Sequence, residues 1–219
     1  MTRSVSGLLL EKETGRDVDK KEQKKLIISG CLLFFAAACA LFLPSRDRVW
    51  CLAAMVLSFL GDLLLLDVKE IRNRIPAYFQ LGATAFGMAH ICYGAAYLTL
   101  LKMTEAGAVF NLGSGISLTV MACIWTFFVG SCLKRKKQGY LSVVLFYILF
   151  IGLAFCAVFT YVWAAGIGQW RSAGAVFGAI AFVISDFCLG ASRIAGLKRL
   201  GRWIWVFYPI GQLLLILCG

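Results

Sequence analysis

Seven stretches of this chain are long and apolar enough to cross a lipid bilayer, and short basic clusters separate them. They cover residues 26–43, 49–66, 77–101, 109–133, 140–165, 172–191 and 202–218. About 20 residues, rising 1.5 Å each, cross about 30 Å of hydrocarbon. In that medium the backbone must satisfy its own polar groups, and a run of this length does so as a helix. The expected fold is an all-α, polytopic transmembrane helix bundle of seven spans. Residues 26–219 form one transmembrane domain, and residues 1–25 form a charged cytoplasmic tail. The composition agrees: 61% of residues are hydrophobic and 15% charged, against roughly half and a quarter in a soluble domain. No polar stretch outruns the first 25 residues, so a separate soluble domain is excluded. The mixed charges from Glu11 to Lys25 precede the first apolar run. That is the wrong order for a signal peptide, and the segment reads as a flexible or surface-lying tail. Pro44 falls between the first two spans and predicts a tight helical hairpin.

The net charge of +11 follows the same division. Seven Lys/Arg lie in the tail, three in the 67–76 loop, four at 134–137 and four at Arg193, Lys198, Arg199 and Arg202, eighteen in all. Only Arg46, Arg48, Lys102 and Arg171 fall on the other side. By the positive-inside rule the N-terminus is cytoplasmic, and an odd number of spans keeps every strongly basic connection on one face. The charge therefore reads as topology and contact with anionic membrane lipids. Basic residues dispersed among loops, without a recognition motif, argue against nucleic-acid binding. The nine cysteines lie almost entirely inside spans, without metal or redox spacing, and read as small buried hydrophobes. No metal or other cofactor is expected.

A charged side chain in mid-span costs about 2.5–3.5 kcal/mol on insertion scales, so one that is present has a partner or a task. Of eleven acidic residues, five are in the tail, and Asp47, Asp67, Glu70 and Glu105 fall in loops or at a span end. Asp62 and Asp186 remain, with no Lys or Arg inside any span. Both are on helices running outside to inside, four residues before Leu66 and five before Ala191. That is roughly 6–8 Å from the cytoplasmic boundary in each case. Two carboxylates at one depth can share a site. Close together in a low dielectric they do not both ionise easily, which leaves one as an acid and the other as a base. The plainer reading is that each aspartate anchors a hydrogen-bond network between helices.

Other polar groups gather around them. Ser58 is four residues before Asp62 and shares its face, and Ser185 adjoins Asp186. His90, the only histidine, is three residues from Tyr93; Tyr208 and Gln212 are four apart around Pro209. Each pair alone reads more readily as an interhelical hydrogen bond than as a binding site. Gly174, Gly178, Ala181 and Ser185 form a small-residue stripe, expected to be a packing seam. Trp50, Trp163, Trp170 and Trp203 near span ends read as interface anchors.

The stretch Ser58-Phe59-Leu60-Gly61-Asp62-Leu63-Leu64-Leu65 resembles the S-x-x-G-D-x-x-L signature of the YhhN/TMEM86 family, the lysoplasmalogenases. The resemblance continues in order through Phe79, Gly82, Phe86, His90 and Tyr93, then Tyr147. It goes on through Gly178-x-x-x-Phe182-x-x-Ser185-Asp186 and ends with Tyr208-x-x-x-Gln212. One such motif is weak in an apolar helix, but five in register over about residues 50–218 are specific. Members of that family commonly have eight spans and a Lys-Pro segment before the G-D helix. This chain has one clear span there and no Lys-Pro.

The resemblance implies hydrolysis of the vinyl-ether bond of lysoplasmalogens to a fatty aldehyde and glycerophosphoethanolamine or glycerophosphocholine. The partner is then a lysophospholipid substrate. Vinyl ethers resist base and yield to acid, so the reaction needs an undissociated acid and a nearby carboxylate. Asp62 and Asp186 would take those roles, in either order. Ser58, His90, Tyr93, Tyr147, Ser185, Tyr208 and Gln212 would line the polar end or orient the carboxylates. The location implied is the plasma membrane in a bacterium or an endomembrane in a eukaryote. A competing class is a proton-coupled transporter or lipid-binding protein with Asp62 and Asp186 as a charge relay. Presenilin-type proteolysis needs G-x-G-D, but Phe59 occupies the first glycine position.

Overall fold

A computed structural model describes residues 5–66, 73–75, 77–103 and 112–219. Asp67, Lys69, Glu70, Arg72 and Glu105, assigned above to loops or a span end, lie outside the described residues. Seven helices account for nearly all the rest, and the described residues contain no strand. They are α1 (Val5–Phe42), α2 (Arg46–Leu65), α3 (Tyr78–Met103), α4 (Leu112–Lys134), α5 (Leu141–Ala165), α6 (Trp170–Arg193) and α7 (Gly201–Cys218). Each accounts for a span of at least 20 residues, long and apolar enough to cross a membrane, that of α7 beginning at Lys198 in the 3₁₀ turn before it. The chain is an integral, multi-pass membrane protein, and its seven spans coincide with the seven apolar runs.

The ends of the helices differ from the sequence reading in ways that matter at the site. α1 starts at Val5, and its membrane-spanning part starts at Glu22. Glu22 and Lys25, assigned above to the tail, thus belong to the bundle. α6 runs two residues past the expected 191, to Arg193. Asp47 and Arg48, read as a loop, are buried in the first turn of α2. Pro44 lies in the short link between α1 and α2, as a tight hairpin requires.

α2 packs along α3, α6 along α7, and α3 along α5; α4 leans on α5 and barely meets α6. Small residues set the closest approaches. A Cβ on Gly61 would lie 2.7 Å from the Phe86 ring, and one on Gly82 would lie 2.7 Å from Leu65. Those two glycines face each other across α2 and α3 and let the backbones come together. On the α6–α7 side, Gly178 faces Gly211: a Cβ on Gly211 would meet the backbone nitrogen of Phe182 at 2.8 Å and the Gly178 oxygen at 3.0 Å. A Cβ on Gly174 would strike Cys218. The small-residue stripe of α6 is therefore a packing seam at these two positions. Trp50, Trp163, Trp170 and Trp203 are all exposed on the outer surface, as anchors at an interface are.

The glycine contacts make a stability prediction. Gly211→Ala forces a helix pair apart, because its neighbours are backbone atoms that cannot rotate away. It should cost about 1–3 kcal/mol. Gly130→Ala has nothing within 4 Å of the new Cβ and should be neutral or slightly stabilising. Thermal unfolding of the two purified variants in detergent checks the order; equal melting temperatures would contradict the seam.

Candidate active site

Asp62 and Asp186 line one cavity of about 720 Å³. α1, α2, α3, α6 and α7 all contribute to its wall, and its rim carries Lys25, Arg193, Lys198, Arg199 and Arg202. Asp62 is three residues from the end of α2, and Asp186 is seven from the end of α6. Both are more than nine-tenths buried. A turn through Gly196, at φ +72°, brings the basic 3₁₀ segment Lys198–Leu200 back over α6. The cavity is thus acidic where it is buried and cationic where it meets the loops.

Each carboxylate has its own set of partners. The hydroxyl of Tyr208 donates to Asp62 Oδ2 at 2.6 Å, and that of Ser29 donates to the same oxygen. Asp62 therefore ties α2 to α1 and α7. Asp186 Oδ2 lies 3.1 Å from His90 Nε2. This is ion-pair distance, but the alignment is not that of a hydrogen bond. The other imidazole nitrogen, Nδ1, is 2.7 Å from the Phe86 carbonyl oxygen. A carbonyl can only accept, so Nδ1 carries the hydrogen. Nε2 is then the ring nitrogen turned towards Asp186 Oδ2.

An aromatic cluster fixes the two sets relative to each other. Phe182 stacks on His90 with centroids 4.6 Å apart and planes 8° from parallel. It also meets Tyr208 at 5.8 Å. Tyr208 in turn packs edge-on to Phe86 at 5.9 Å. One ring therefore sets both the imidazole beside Asp186 and the phenol beside Asp62. Tyr147 stands edge-on to His90 at 5.8 Å, and its buried hydroxyl interacts with Asp186.

The remaining residues named from sequence divide. Ser185 lines the cavity, with its hydroxyl 3.5 Å from the Ile204 carbonyl oxygen. Ser58, Tyr93 and Gln212 do not line it. They form a second layer one turn away: the Gln212 amide donates to Ser58 Oγ at 2.9 Å and accepts from the Tyr93 hydroxyl. That layer joins α2, α3 and α7. Ser29 and Lys25 were missed. The available signal was a serine one turn past the last lysine of the tail, facing the same end of the bundle as Asp62.

A family model described as "YhhN family" matches residues 23–218, nearly the whole chain. The chain belongs to the YhhN family. The five segments that carried the resemblance are those that meet here: Gly61 and Gly82 at the α2–α3 contact, His90 and Asp186, Phe182 between them and Tyr208, and Gln212 beneath. No curated protein and no solved structure matches the chain.

Gln212→Leu removes the acceptor of Tyr93 and the donor to Ser58 while keeping the volume. In a site this buried, the unpaired hydroxyls should cost about 1–3 kcal/mol. The expected result is a lower melting temperature in detergent. An unchanged value would mean the layer does not hold α2, α3 and α7 together.

Proposed function

We propose that this YhhN-family protein is a lysoplasmalogenase, a membrane hydrolase that cleaves the vinyl-ether bond of lysoplasmalogens. The observation that carries the reading is the single cavity that has the buried carboxylates of Asp62 and Asp186, and at its rim four Lys/Arg beside a Glu22–Lys25 ion pair. A lysophospholipid pairs an anionic phosphate with a bond that acid breaks a short distance away, and that is the order of charge along this cavity. Arg199 and Arg202 take the phosphate, which charge-assisted hydrogen bonds favour. The basic rim then faces the cytoplasm, following the positive-inside rule.

The Asp186–His90 pair is the proton donor. Nδ1 is fixed on the Phe86 carbonyl, so Nε2 is the ring nitrogen turned to the carboxylate, and a proton passes on that side. Transfer to the β-carbon of the vinyl ether makes an oxocarbenium ion. Asp62, whose Oδ2 is held by Tyr208 and Ser29, serves as the carboxylate. It stabilises the cation and accepts a proton from the water that attacks the former vinyl carbon bonded to oxygen. The hemiacetal then collapses: its C–O bond to glycerol breaks, the aldehyde forms, and the glycerol oxygen gains a proton. One water is consumed; the proton first given up stays on the aldehyde's α-carbon, and the proton Asp62 took from the water recharges the Asp186–His90 pair. The logic is that of paired-carboxylate glycoside hydrolysis.

Purified protein should release fatty aldehyde from a lysoplasmalogen. Asp62→Asn and Asp186→Asn should each lower kcat by at least about 10²-fold, the usual contribution of a positioned acid or base. Both variants keep side-chain shape, and size-exclusion elution in detergent reports whether they fold. Full turnover in a monodisperse Asp186→Asn protein would remove that residue from the chemistry.

A further inference from the structure

The chemistry above uses one half of the bundle, where α1, α2, α3, α6 and α7 meet. The other half, around α4 and α5, is built differently. α4 hardly touches α6, and the space between them is apolar. Two cavities occupy it. The larger, about 340 Å³, has Ile116 and Val120 of α4 on one side and Ile180 of α6 on another. The smaller, about 50 Å³, continues from it towards the site and has Tyr147 and Asp186 at its inner end.

The linings overlap in sequence. Met121, Ile124, Val183 and Phe187 line both apolar cavities. Asp186 and Leu189 line both the smaller apolar cavity and the basic one. The order through the protein is therefore wide apolar cavity, narrow apolar neck, Asp186, basic cavity. At the far end Ile116, Val120, Ile180 and Ile184 are exposed on the outer surface of the bundle. In a membrane-spanning helix that surface meets hydrocarbon.

We infer that this series is the binding site for the hydrocarbon chain of a single-chain amphiphile, entered sideways from the bilayer through the gap between α4 and α6. The inference rests on the amphiphilic substrate class of the preceding section and adds where the chain lies and how it enters. The chain's polar end lies in the basic cavity, and the bond between chain and headgroup lies at Asp186, the residue the two compartments share. The neck is lined by Met121, an unbranched side chain that repacks readily, and by Phe187; their rotation widens it for one chain. Ile180 stands at the lipid-facing mouth, six residues along α6 from Asp186 or about 9 Å.

The test uses the full-length protein in nanodiscs with two probes. The first is a series of vinyl-ether lysophospholipids with one headgroup and increasing chain length. Ile180→Trp fills the mouth, so the longest chains must pull the reacting bond away from Asp186. Their kcat/KM relative to the shortest should fall by about tenfold or more, as small misplacements of a reacting group do. The comparison is a ratio within one variant, so a lower folded fraction does not affect it. Ile180→Ala leaves the mouth open and should leave the ratio unchanged. The second probe is a lysophospholipid with a saturated ether bond and a photoreactive group at the chain end, whose cross-links are mapped by mass spectrometry. Labels on residues 116–124 of α4 and 180–187 of α6 are expected. Labels confined to α1 or α7, or an Ile180→Trp effect equal at every chain length, would overturn the inference. Labels on α4 and α6 without aldehyde release would support the chain site and count against the hydrolase reading instead.

Discussion

A carboxylate inside a membrane helix has no bulk water to turn to, so other helices must supply its hydrogen bonds. That requirement organises this protein. Asp62 on α2 is met by Ser29 of α1 and Tyr208 of α7. Asp186 on α6 is met by His90 of α3. Five of the seven helices are thereby joined around two acidic side chains. Lipid tails are as apolar as the helices they surround, so hydrophobic burial drives little association between spans. Polar contacts and close glycine packing do that work here, and both converge on the same segment of α2, α3, α6 and α7. The second layer of Ser58, Tyr93 and Gln212 repeats the pattern one turn away. It gives the residues that hold Asp62 a rigid floor.

Much of this was legible in the sequence. Apolar run length predicts seven helices, and the scarcity of intramembrane charge singles out Asp62 and Asp186. Spacing of three and four residues placed Ser58 with Asp62 and Tyr208 with Gln212. The pairings across helices were not legible. Nothing in the sequence alone says that Gln212 reaches Ser58 and Tyr93, or that Tyr208 turns to Asp62, because rotation of a helix about its axis is set by its neighbours. Ser29 shows the limit well. A lone serine in an apolar run is unremarkable until the helix is placed, and only its position beside Asp62 makes it a donor. Lys25 was assigned to a tail for a similar reason. Charge content separates tail from span, yet a lysine one turn inside the start of a span can stay in the bundle when a polar cavity receives it.

α6 shows how one helix serves several demands. Gly174 and Gly178 face α7, where any side chain would collide. Phe182, four residues after Gly178, stacks on His90. Val183 and Phe187 line the apolar space towards α4. Asp186 is four residues from Phe182 and three from Val183, so it sits on the edge shared by the polar and apolar faces. Residues at those spacings lie one above the other on a helix. A shift of one residue would rotate the carboxylate by about 100°, carrying it away from either His90 or the apolar neck. The position of Asp186 at the boundary of two unlike compartments is thus a consequence of helical register. A helix with its small residues fixed against α7 has one position from which a carboxylate can meet both an imidazole and a hydrocarbon chain.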